Sequence, residues 1–70
     1  MSLYAISKNK RCVVENMPSL ELLSSLGLRK GLEIGVKSRQ PMGGPIVIEI
    51  GRRSIAIAKD IASSIVVKEV

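Results

Sequence analysis

The chain has no histidine, no tryptophan and no phenylalanine, and holds one cysteine, Cys12, and one tyrosine, Tyr4. Each absence excludes something. A lone thiol rules out an intrachain disulfide. Without histidine there is no Ser-His or Cys-His pair to activate a nucleophile. Zinc and ferrous iron favour clustered Cys, His and carboxylate ligands, and one thiol does not supply such a set. The six acidic residues, Glu15, Glu21, Glu33, Glu49, Asp60 and Glu69, are scattered over separate stretches, so no paired-carboxylate site is legible. A single aromatic leaves almost no stacking platform for single-stranded nucleic acid, so no nucleic-acid partner is expected. No apolar run approaches the roughly 20 residues of a membrane-crossing helix, so no membrane insertion is expected. The N-terminus also lacks the pattern of a signal peptide, which makes the cytoplasm the expected compartment. No catalytic, cofactor-binding or metal-ligating residue is assigned, and an enzyme is not expected.

What is present is aliphatic. Apolar residues make up 46% of the 70 residues, mostly Ile, Val and Leu, enough for one small domain over residues 1–70. The formal charge is +5, but it is spread evenly: residues 1–37 carry six basic and three acidic groups, residues 38–70 five and three. The basic residues cluster no further than the pairs Lys10-Arg11, Arg29-Lys30 and Arg52-Arg53. A mildly basic solvated surface is the simple reading.

The stretch from Leu32 to Ile57 organises the rest. Leu32, Ile34 and Val36 alternate with polar residues or glycine, and Ile46, Ile48 and Ile50 repeat the rhythm. A period of two places each set on one face of a strand. Between them Pro41, Met42, Gly43, Gly44 and Pro45 force a loop, giving an antiparallel pair with a prominent connection. Upstream, Asn9 suits a turn and Arg11 to Glu15 a short strand. Ser19 is placed to cap a helix from Leu20 to Leu26, whose Leu22, Leu23 and Leu26 share one face, with Gly27 as a left-handed stop. Downstream, Gly51-Arg52-Arg53 turns into a strand over 54–58. The apolar phase shifts from even to odd numbers there, which a tight turn or a bulge absorbs. Lys59 to Ala62 suits one helical turn, and Ile65, Val66 and Val67 the last strand. The order predicts a mainly β fold, a closed or nearly closed barrel of about five strands with a short helix between strands 1 and 2.

Several residues stand out against this frame. Cys12 reads as a small buried hydrophobe. Gly43-Gly44 is followed by proline and a strand, not by the Lys-Ser/Thr and helix of a phosphate loop. The leucines of 20–26 read most simply as core; the alternative is that Leu20 or Leu28 is surplus to it and stays exposed as a docking ridge. Met42 at a loop tip either covers the barrel end or contacts a partner. Arg52 and Arg53 form a solvated turn or meet an acidic or phosphorylated partner.

The runs L-L-S-S-L-G-L-R-K-G-L-E-I-G-V (22–36), P-M-G-G-P-I-V-I-E-I (41–50) and S-I-A-I-A-K-D-I-A-S-S-I-V-V (54–67) together resemble the FeoA family, ferrous iron transport protein A. The likeness extends from about Lys8 onward and rests on the order and spacing of these runs. It departs from the usual pattern at Asn9, in a short Glu15–Ser19 segment, and at Gly51, which stands one position before the usual turn glycine. The resemblance implies an SH3-like barrel and an accessory or regulatory role in ferrous iron uptake, through protein contact with the FeoB membrane GTPase. It implies no bound cofactor, and a monomer or weak homodimer. The same module ends iron-dependent repressors, so a metal-sensing or repressor-type interaction domain stands as an alternative, beside a small basic barrel binding nucleic acid. The partner contacts expected are Leu20, Arg29 and Lys30 on the helix side, Pro41, Met42, Gly43 and Gly44 in the loop, and Arg52 and Arg53.

Overall fold

The computed structural model describes residues 1–40 and 42–70 with their side chains. Five strands form one antiparallel sheet: β1 (Arg11–Asn16), β2 (Glu33–Arg39), β3 (Ile46–Ile50), β4 (Arg53–Ile57) and β5 (Val66–Glu69), in the order β4-β3-β2-β1-β5. Helix α1 (Glu21–Ser25) lies between β1 and β2, and α2 (Lys59–Ser63) carries the chain from one edge strand to the other. Beyond β5 the first residues continue the pairing, with Ser2 bridged to Val66 and the Leu3 amide donating to the Ile65 carbonyl at 2.8 Å. The extents of 27 × 24 × 23 Å are those of a curled sheet.

The alternation expected of the central strands holds. Ile34 and Val36 of β2, Ile46, Ile48 and Ile50 of β3, and Cys12 and Val14 of β1 are buried in one apolar cluster. Leu3 and Ile6, flanking a 3-10 turn at Leu3–Ala5, join it, as do Leu23, Leu28, Ile57, Ala62, Ile65 and Val67. No buried polar side chain interrupts this cluster among the described residues. The shift of phase from Ile50 to Ile55 and Ile57 is absorbed by a two-residue hairpin loop, Gly51-Arg52, across which Ile50 pairs Arg53 and Ile48 pairs Ile55.

Two irregularities re-aim the strands. At Lys37 the β2–β3 register slips, so Val36 faces Ile48 but Ser38 faces Val47 and Arg39 faces Ile46. The extra residue turns Arg39, not Ser38, toward the side of buried Ile46 at the barrel end. A second slip, between Val14 and Asn16, ends the paired inward face of β1.

Helix α1 differs from its expected form. Its N-cap is Leu20, whose carbonyl accepts from the Leu23 and Ser24 amides, and no side chain caps it. Ser19 lies one residue too early for its hydroxyl to reach the free amides. The leucine stripe is split: Leu23 is fully buried, Leu26 half-buried, and Leu22 is 52% exposed. Leu28 takes the missing place in the core, only 3% exposed, because the helix ends in a Schellman turn. The Leu28 amide donates to the Leu23 carbonyl at 3.0 Å and the Gly27 amide to the Ser24 carbonyl at 3.0 Å, with Gly27 at φ +90. Leu28 is therefore not an exposed ridge, while Leu20, 42% exposed, remains on the surface.

A Cβ at position 27 would sit 2.9 Å from Arg53 Nη2 as well as at positive φ. Gly27→Ala should therefore lower stability by about 1–2 kcal/mol, read as a lower urea midpoint with unchanged slope. Ile34→Ala, which empties a site in the centre of the core, should cost about 2–5 kcal/mol in the same assay.

Candidate functional site

One end of the barrel is built around the single aromatic. The Tyr4 hydroxyl donates to the Gly44 carbonyl at 2.8 Å, and Arg39 Nη2 donates to the Tyr4 carbonyl at 2.6 Å. Arg39 Cζ lies 5.2 Å and Lys59 Nζ 5.8 Å from the ring centroid, within cation–π reach. The N-terminal segment, the end of β2, the β2–β3 loop and the start of α2 thus meet on one phenol.

The loop it holds is strained. Within the turn Pro41–Gly43, Met42 has φ 64 and ψ 33, and Gly43 follows at φ 80. A left-handed conformation costs a non-glycine residue about 1–2 kcal/mol. A methionine persists in it only where its surroundings hold the backbone. Gly44 belongs to that support: a Cβ there would meet Gln40 Cβ at 2.5 Å, so the chain closes on Gln40 only because position 44 has no side chain. Met42 does not cover the barrel end. Its relative exposure is 102%, so the whole thioether projects into solvent from a fixed backbone. Pro41, expected among the contacts, lies outside the described side chains.

The helix side forms a second feature. Leu20, Arg29 and Lys30 line one open groove with Met17, Pro18 and Leu28, so the structure brings together three residues expected to act together. The third expected group divides. Arg52 is exposed in the β3–β4 turn, whereas Arg53 Nη2 donates to the Leu26 carbonyl at 3.0 Å, satisfying the C-terminus of α1. Arg53 thus fastens β4 to α1.

Among the described residues no three His, Cys, Asp or Glu side chains converge on a point that could hold a metal ion. The Cys12 thiol is fully buried, and burial pushes its pKa up, away from the reactive thiolate. No helix is long and apolar enough to cross a membrane.

A family model described as the FeoA domain matches residues 1–69. The chain belongs to the FeoA family. FeoA proteins are linked to ferrous iron transport, and they are not a known enzyme family. The crystal structure of an iron uptake regulatory protein (FeoA) is 31% identical, with a TM-score of 0.90, over 100% of this chain and 96% of that one. The iron(II) transport protein A of Clostridium thermocellum is 32% identical with a TM-score of 0.91; this chain is covered fully but spans only 46% of that one. The FeoA of Stenotrophomonas maltophilia, solved in complex with zinc and described as an SH3 domain protein possibly acting as a ferrous iron transport activating factor, is 26% identical. Its TM-score is 0.81, over 97% of this chain and 89% of that one. A manganese-dependent transcriptional repressor shares the fold, at 19% identity and a TM-score of 0.90, over 41% of its length. No curated protein matches the chain.

The SH3-like fold of FeoA is thus the fold of this chain. Three residues at its loop end were not legible as a set in the sequence: Tyr4, Arg39 and Lys59. The lone aromatic was a signal, because a tyrosine in an otherwise aliphatic chain needs a partner for its hydroxyl. Its partner, Gly44, lies 40 residues away.

Tyr4→Phe keeps the ring and loses the bond to Gly44. It should lower stability by about 1 kcal/mol and speed amide hydrogen exchange in residues 42–44 before any other segment. Cys12 gives a pH test. Burial raises the thiol pKa in the folded chain, so the unfolded chain loses this proton first as pH rises. The thiol's contribution is constant below the ordinary thiol range, about pH 8.5, and falls above it. Cys12→Ala should therefore show a smaller alkaline loss of stability than the parent in denaturation series.

Proposed function

We propose that the chain is a non-enzymatic accessory and regulatory subunit of ferrous iron uptake, acting in the cytoplasm by protein contact with a FeoB-type membrane GTPase. The observation that carries this reading is Met42. A fully exposed methionine on a backbone held in a strained conformation contributes nothing to the core. Its position suits adaptable apolar contact with another protein, with little further ordering of the backbone on binding. The groove at Leu20, Arg29 and Lys30 offers a second contact. The core gives the same direction: it is aliphatic throughout, with its one thiol held protonated by burial, and it supplies no group for chemistry. Family membership ties the contact to iron transport.

Capture of the transporter's cytoplasmic GTP-binding domain on the immobilised full-length chain tests this. The parent chain should retain the domain, and Met42→Ser should weaken retention by roughly tenfold while leaving thermal unfolding unchanged. No retention by the parent chain, together with iron uptake unaffected by deleting its gene, would overturn the reading.

A further inference from the structure

The loop end carries a charge feature that the fold does not use. Arg39 and Lys59 flank one phenol ring, yet neither forms an ion pair among the described residues, where the salt bridge found joins Arg11 of β1 and Glu33 of β2, away from this end. Asp60, next to Lys59 on α2, is exposed and pairs with neither. Two like charges beside one ring repel each other, and an incoming anion relieves that repulsion. Arg39 commits Nη2 to the Tyr4 carbonyl, leaving its other N–H groups for a carboxylate. The Lys59 ammonium forms no ion pair among the described residues, and its Nζ and Cδ lie 3.7 and 3.8 Å from where a Cβ at Gly43 would stand. Beside these cations stands the exposed Met42 side chain, with Gln40 and Gly43 completing the depression.

The geometry points to this barrel end as a docking surface for an acidic segment of a protein partner, whose carboxylates pair with Arg39 and Lys59 and whose apolar side chain packs on Met42. This deepens the reading of the chain as a protein-contact module and rests on it. Charge complementarity selects the occupant's sign. The exposed methionine selects a peptide over a nucleic acid, because it offers apolar contact and no flat stacking surface, and Arg39 and Lys59 already approach the one aromatic ring nearby. Arg39 is already anchored through Tyr4 and aimed by the slip at Lys37, so it loses little freedom on binding.

Titrating the full isotope-labelled chain with the capped peptide EDLDE, followed by amide NMR, tests the surface without any transporter. Parallel arms use KKLKK, EDSDE and a short oligothymidine. EDLDE should shift amides in residues 38–40, 42–44 and 58–60. Its affinity should fall about tenfold in the pair Arg39→Gln and Lys59→Gln, about threefold for EDSDE or Met42→Ser, and steeply in about 0.5 M salt. Charge reversal, Arg39→Glu with Lys59→Glu, should abolish binding, and the glutamine pair covers the case in which reversal unfolds the chain. Shifts centred elsewhere, an equal response to KKLKK, tighter binding of the oligothymidine, or indifference to the glutamine pair would overturn the proposal. Capture of the transporter domain that survives the glutamine pair would likewise overturn this surface while leaving the partner intact. Peptide binding here without such capture would instead remove the partner and keep the surface.

Discussion

Every side chain in the centre of this fold is aliphatic or a thiol, and the largest are leucine and isoleucine. With its one aromatic ring, Tyr4, only packed against the cluster's edge and no disulfide, burial depends on how completely the sheet can wrap around these small groups. A flat five-stranded sheet would leave one face of Ile34, Val36 and Ile48 in water. Curling it, passing α2 between the two edge strands, and closing one end with Leu3 and Ile6 buries them all. The Schellman turn that drops Leu28 onto Leu23 supplies another piece of the same enclosure.

That constraint also decides where function can reside. Among the described residues no polar side chain is buried in the core, and the one buried titratable group is a thiol that its surroundings keep protonated. Whatever the chain does is done by residues the core does not need. Met42 is one such residue: fully exposed, yet on a backbone held by Tyr4, Gly44 and Gln40. The strain at Met42 is of the same order as one hydrogen bond and one cation–π contact together. The Tyr4 cluster is therefore sufficient to hold the loop, and little beyond it is required.

What the sequence made legible follows from which signals are local. The alternation at 32–36 and 46–50, the left-handed turns at Asn9 and Gly27, and the hairpin at Gly51-Arg52 each depend on residues within a few positions of one another. They are where periodicity and turn chemistry put them. The Ser19 cap and the Leu22 face were expected by the same kind of reasoning and do not form. Tertiary packing chose Leu20 as the start of the helix and drew Leu28, past its end, into the core. That Leu20, Arg29 and Lys30 share one groove was legible, because all three flank one short helix. Arg53 looked the same as Arg52 in the sequence, and only the packing of β4 against α1 separates the carbonyl-capping arginine from the solvated one.

The Tyr4 cluster shows why the remainder was hidden. It joins residues 4, 39, 44 and 59, which have no shared period and no motif between them. What assembles them is the slip at Lys37. Regular alternation from Ile34 would have sent Ser38 to the core side and Arg39 to the opposite one. One additional residue reverses this, and a guanidinium arrives where a hydroxyl would have stood. The position of a bulge depends on how two strands settle against a common core, so it is a property of the closed barrel and not of the β2 segment. The same event that completes the wrapping of the aliphatic core therefore also delivers the charge at its end.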